Sequence, residues 1–257
     1  MPWVVDSTYK QPEDPTTRIW HYLRHGRFVQ LLQSQSLWFR SVREYEDKFE
    51  ASFPDVDPEY RENDTLDRTI FVTSETMARG KYDGNDSFVT YSHCWTLRAY
   101  ESVAMWQLYV ANPPDNAGLA ICSTLAGMKS AFESAQWNGN DVEVRIGKVD
   151  YYDYSAAITI PGAEYQPHLC KNLPFEYERE MRAIVHPVTQ ENCPNFDDRP
   201  RGVPIACNLS DLIQSIVVAP RSSDAYLLNV ESALAAANLK NVPVRRSQLD
   251  EKPRRVL

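Results

Sequence analysis

With 257 residues, 43% of them hydrophobic and 24% charged, the chain has the make-up of an ordinary globular protein with a proper core, and wholesale disorder is excluded. A net charge of −8 argues against broad electrostatic capture of nucleic acid, although folding can still assemble a local basic patch. The opening Met-Pro-Trp-Val-Val-Asp has no basic segment, and no apolar run approaches the length of a bilayer span, so neither export nor a membrane is expected.

In chain order, the first predicted strand is Arg18 to Tyr22, followed by a short amphipathic helix near Phe28 to Gln33 and a second strand from Leu37 to Ser41. Residues 50–85 form a charged, partly helical excursion, with a helix around Thr69 to Arg79 and a turn at Asp83-Gly-Asn-Asp leading to a strand from Ser87 to Trp95. In Ser102 to Val110 a helical stripe joins Val103, Trp106 and Val110, with Met105 and Tyr109 as an adjoining pair. Gly118 to Cys122 reads as a short buried strand, Thr124 to Glu133 as a helix, and Asp141 to Val149 as a half-buried strand with period-two alternation. Further strands are expected at Met181 to Val185, Val203 to Asn208, Ser215 to Ala219 and Val242 to Arg246, with a turn at Leu209 to Leu212 and an alanine-rich helix from Asp224 to Ala237. No repeat or long linker interrupts this order, which predicts one α+β domain over residues 1–257, its core spanning about residues 17–247, a mixed or antiparallel sheet decorated by helices.

The segment with the clearest chemistry is Phe175-Glu-Tyr-Glu-Arg-Glu-Met-Arg-Ala-Ile-Val185. If it is extended, Glu176, Glu178 and Glu180 share one face and Tyr177 and Arg179 the other. Three carboxylates so close are tolerated on a wet strand end, beside a cation such as Arg182, or where a site must hold positive charge. Other chemistry finds little support. Cys94, Cys122, Cys170, Cys193 and Cys207 are odd in number and widely spaced, which suits reduced thiols in the cytoplasm better than a disulfide framework. His93-Cys94 and His168-x-Cys170 lack zinc-site spacing, so no metal is expected, and neither a Gly-x-Ser-x-Gly elbow nor a phosphate-binding glycine loop is present.

Trp20-His-Tyr22, Leu37-Trp-Phe39, Tyr45-Glu-Asp-Lys-Phe-Glu50, Met105-Trp-x-x-Tyr109, Gly118-Leu-Ala-Ile121, Phe175-x-x-Glu-Arg-Glu-Met-Arg182 and Ile216-Val-Val-Ala-Pro220 follow one another along nearly the whole chain. In that order they resemble the bacterial domain of unknown function family 2971. The chain departs from that family's pattern at Glu46, Lys48 and Met181, where Asn, Pro and Trp are usual. The layout is similar to the ADP-ribosyltransferase superfamily: a His- or Arg-bearing first strand, a second strand ending in Ser, and a late strand introduced by a catalytic Glu. Such a likeness is an analogy of fold.

The resemblance implies NAD as substrate, a transferase or hydrolase activity, and an acceptor that can be protein, nucleic acid or a small molecule. Loss of nicotinamide develops positive charge on the ribose, as in glycoside hydrolysis, and a carboxylate there supplies stabilisation. On this reading Glu180 stabilises the cationic sugar and Glu178 orients or deprotonates the nucleophile. His21 holds a ribose hydroxyl, Ser41 the nicotinamide-side ribose, Tyr22 or Tyr109 stacks on nicotinamide, and Arg24 or Arg40 reaches the pyrophosphate. Each has a plainer reading: His21 as a packed histidine, Trp106 and Tyr109 as core, Ser41 as a strand end. The rival hypothesis is a non-catalytic module binding a nucleotide or a protein, of phage-defence or regulatory type. A nucleic-acid-directed enzyme would gather Arg179, Arg182, Arg199, Arg201, Arg245 and Arg246 around the Glu180 pocket.

Overall fold

Alternation of apolar residues and well-placed chain breaks set most of the elements. The computed structural model describes residues 9–45, 47, 88–110, 117–154, 167–189 and 198–251. The chain begins with β1 (Arg18–Arg24), α1 (His25–Ser34), β2 (Ser36–Ser41) and β3 (Phe88–Leu97). It continues with α2 (Val103–Met105), prolonged by a π turn at Trp106–Val110, then β4 (Gly118–Thr124) and α3 (Leu125–Ala131). Short strands β5 (Gln136–Trp137) and β6 (Asn140–Asp141) precede β7 (Arg145–Lys148), β8 (Asp150–Tyr152), β9 (Cys170–Asn172) and β10 (Glu180–Thr189). The chain ends with β11 (Gly202–Ala206), α4 (Leu209–Leu212), β12 (Ser215–Val218), α5 (Asp224–Ala236) and β13 (Val244–Arg246). Antiparallel pairing dominates, with β12 and β13 parallel, so the fold is α+β with a mixed sheet. The helix expected at Thr69 to Arg79 and the turn at Asp83 lie outside the described residues.

The chain divides into two compact units: Met1–Gln11, Trp38–Cys94 and Gln136–Pro204 form the first, and Pro12–Leu37, Trp95–Ala135 and Ile205–Leu257 the second. Boundaries fall inside β2, β3 and β11, which explains why no linker composition announces them.

In the second unit β4 pairs antiparallel with β1 from Arg18↔Thr124 to Arg24↔Gly118, and with β12 from Ser215↔Cys122 to Val218↔Leu119. Gly118 to Ser123 are all buried, as a strand covered on both faces must be. On one face Trp20, Tyr22, Ala120, Cys122 and Val217 pack with Met105, Trp106 and Val110. Gly118 makes this packing possible: a Cβ there would lie 2.1 Å from Val110 Cγ1. The helical stripe expected over Val103, Trp106 and Val110 is corrected at its first member, because Val103 is 52% exposed. One α turn gives way to a π turn, whose wider spacing puts Met105, Trp106 and Val110 inside and leaves Tyr109 out.

In the first unit β10 is the spine, paired antiparallel with β7 from Met181↔Lys148 to Ile184↔Arg145, and also paired with β3. Met181, Ala183, Ile184 and Val185 are fully buried. The strand expected from Asp141 to Val149 is divided: β5 and β6 form a hairpin whose turn is Asn138-Gly139, both at positive φ, and the ladder with β10 starts at Arg145. Strands β8 and β9 pair parallel, with Tyr151↔Lys171 in register.

Candidate functional site: a buried glutamate pair on Lys171 and Arg182

The glutamate segment is not extended. Leu173–Glu178 forms a 3-10 helix with Pro174 in its first turn, and Arg179 takes a left-handed φ of 47° before β10 begins at Glu180. Proline presets a helical φ and supplies no N–H for a strand ladder, which corrects the expectation of three glutamates on one strand face. The left-handed turn, costing on the order of 1 kcal/mol for a residue with a Cβ, ends the 3-10 helix and leads into β10. Glu176 is left exposed while Glu178 and Glu180 are 6% and 5% exposed. The two converge through that turn rather than through strand alternation.

Both carboxylates meet one ammonium. Lys171 Nζ donates to Glu178 Oε2 and to Glu180 Oε1, each at 2.7 Å, and lies 4.8 Å from the centre of the Phe175 ring. Arg182 completes the cluster from two residues along β10, on the same strand face as Glu180. Its Nε donates to Glu180 Oε2 at 2.8 Å and its Nη1 to the His168 carbonyl at 2.9 Å. Tyr151 accepts the Glu180 backbone N–H at 2.8 Å. The Arg182 guanidinium lies 5.4 Å from the centre of the Tyr45 ring, whose hydroxyl contacts Ser92 and Cys94. A further polar pair, the Tyr9 hydroxyl and His168 Nε2, is 2.5 Å apart.

Two carboxylates and two cations balance in formal charge, but the partners are unequally shared. Burial pushes Glu178 up to about 7, helped by its hydrogen bond with Glu180 and that carboxylate's charge, against the pull of Lys171. Burial acts on Glu180 in the same sense, yet the Arg182 charge, the hydrogen bond from Glu178 and Lys171 together hold it well below the usual carboxylate range. The two carboxyls are thus pulled in opposite directions, a separation of the kind that lets paired carboxylates take acid and base roles. Burial also raises Tyr151 and Tyr45 above the ordinary phenol range.

The other residues singled out from the sequence have surroundings of their own. Ser41, in the first unit, is 2% exposed at the end of β2, and its N–H donates to the Arg201 carbonyl. His21, Tyr22, Arg24 and Tyr109 belong to the second unit. Tyr22 is a core residue: its ring packs edge-on against Trp106 and alongside Trp20, and its hydroxyl accepts the Ser102 N–H at 2.8 Å, which removes the free aromatic face that stacking requires. His21 is half-buried with its ring 5.3 Å from that of Trp95, Arg24 is the exposed N-cap of α1, and Tyr109 is 46% exposed. Arg40 is held at the Glu44 carbonyl. Among the arginines, Arg182 is bound to Glu180, Arg201 lies 3.8 Å from Glu44, Arg246 is tied to Asp224, and Arg245 covers Trp20.

Lys171 and Tyr151 carried no signal in the sequence, since an isolated lysine and a tyrosine in a Tyr-rich run are unremarkable before β8 and β9 pair. Cys94, Cys122, Cys170 and Cys207 are free thiols. Among the described residues no group of three or more His, Cys, Asp or Glu is arranged to hold a metal ion, and no helix is long and apolar enough to cross a membrane. No protein-family model matches the chain, and no curated protein is significantly similar to it.

Proposed function

We propose that the chain is an ADP-ribosyltransferase-like enzyme of the cytoplasm, acting on NAD or a related nucleotide through Glu178 and Glu180. The observation that carries this reading is the buried pair itself: Glu178 and Glu180 share the Lys171 ammonium while Arg182 adds a second cation to Glu180, an asymmetry that holds Glu180 low and leaves Glu178 pushed up to about 7. An ionised carboxylate stabilises an oxocarbenium-like ribose, and a carboxyl that titrates near neutrality moves a proton to or from the nucleophile. The resemblance to family 2971 and to the transferase layout supports the same chemistry by analogy.

A second reading is favoured by one observation: both oxygens of Glu180 are already taken, one by Lys171 and one by Arg182. A site so closed suits a non-catalytic module of a defence or regulatory system that binds a nucleotide or a protein.

Calorimetric titration of NAD into wild type and Glu180→Gln, followed by a nicotinamide-release assay, separates the two. Binding by both with turnover by wild type alone supports the enzyme. Binding without turnover supports the module, and no binding by a correctly folded wild type removes NAD from the account.

A further inference from the structure

Lys171 sits on β9, whose register against β8 places its backbone opposite Tyr151, the same residue whose hydroxyl accepts the Glu180 N–H. Its ammonium is buried, and the Phe175 ring lies beside it. Burying a flexible lysine costs desolvation and rotamer entropy, and a hydrophobic replacement of similar volume is often no less stable. Stability alone is therefore a weak reason for its position.

Contacts distinguish the two carboxylates. Glu180 touches both cations, Lys171 through Oε1 and Arg182 through Oε2, whereas of these two Glu178 touches Lys171. A proton entering the cluster goes to the carboxyl with fewer cations, Glu178. A single ammonium bound to one oxygen of each carboxyl couples that event to Glu180 without surrendering a proton of its own.

We propose that Lys171 is a positioning residue of the glutamate pair, clamping one oxygen of each carboxyl so that the two work as a one-proton unit with Glu178 as carrier. The proposal rests on reading the pair as an acid–base centre. In each cycle Glu178 gives up one proton and regains one, Glu180 stays anionic, and Lys171 keeps its three hydrogens. The groups acting on the pair from the surrounding elements are Tyr151 of β8, Lys171 of β9, Tyr177 of the 3-10 turn and Arg182 of β10.

The test is nuclear magnetic resonance titration of the wild-type protein, following the Glu178 and Glu180 carboxyl carbons and the Lys171 Nζ, with Glu178→Gln and Lys171→Arg used for assignment. The expected result is a Glu178 transition near neutrality, a Glu180 signal that does not titrate there, and a Lys171 Nζ shift with the Glu178 midpoint. Lys171→Met should move that midpoint upward by about one pH unit or more, because the nearest opposing charge is gone. A Glu178 transition that leaves Lys171 Nζ unmoved overturns the positioning role while leaving the acid–base reading intact. A Glu178 that does not titrate between pH 5 and 9 overturns both. Because the titration contains no NAD, a failure of the NAD assignment shows separately, in the nicotinamide assay.

Discussion

Arg182 and Glu180, two residues apart on β10, meet at a single oxygen: Nε and Nη2 of the guanidinium lie 2.8 and 2.7 Å from Glu180 Oε2. Strand alternation puts the pair on one face, and burial makes the contact obligatory, since neither charge has enough water to fall back on. Arg182→Met is expected to cost about 3–5 kcal/mol of stability, the penalty for leaving a buried charge short of its partner. Urea denaturation measures it, and Arg182→Lys should recover only part because it loses the planar fork.

Glu178 makes stability depend on pH in a stated direction. Its folded value, about 7, is above the ordinary 4.5, so its contribution is fully present below about pH 4.5 and is lost as pH rises through 7. Wild type minus Glu178→Gln should therefore change by on the order of 3 kcal/mol between pH 4.5 and 8. Urea midpoints of both proteins across that range supply the comparison, and parallel curves would contradict it.

His186 acts in the opposite sense. Burial, aided by the charge of Arg145, lowers it from 6.5 to about 4, so its contribution is present above pH 6.5 and lost as pH falls through 4. Its Nε2 is 3.1 Å from Thr90 Oγ1, a partner that Gln can keep. His186→Gln should flatten the acid limb of a melting-temperature profile, with a change on the order of 3 kcal/mol between pH 7 and 4.

Gly118 is required by a neighbour rather than by its own backbone. Gly118→Ala drives a methyl into Val110 and should cost about 1–3 kcal/mol, the usual range for overpacking. Val110→Ala in the same protein should relieve most of that clash, so the double variant loses less than the two single changes together. Additive losses would show that the strain lies elsewhere.

Tyr22 offers a test in the second unit. Tyr22→Phe keeps the contacts with Trp20 and Trp106 but leaves the buried Ser102 N–H without its acceptor. The expected loss is about 1–3 kcal/mol by urea denaturation.

Alternation and punctuation alone determined most of the strands and helices, because they depend on which residues near one another in the chain face a core. Gly118 to Cys122 reads as buried and is, and Asn138-Gly139 is a hairpin signal at which the chain does turn between β5 and β6. The glutamate segment marks the limit of such reading. Its sequence shows that carboxylates are concentrated there, but the left-handed Arg179 and the parallel pairing of β8 with β9 decide that Glu178 and Glu180 share Lys171 and that Tyr151 holds the Glu180 backbone. Tyr151 and Glu180 are 29 residues apart. Local periodicity encodes a face, not a partner; partners arise only when strand pairing removes water and fixes which charges meet.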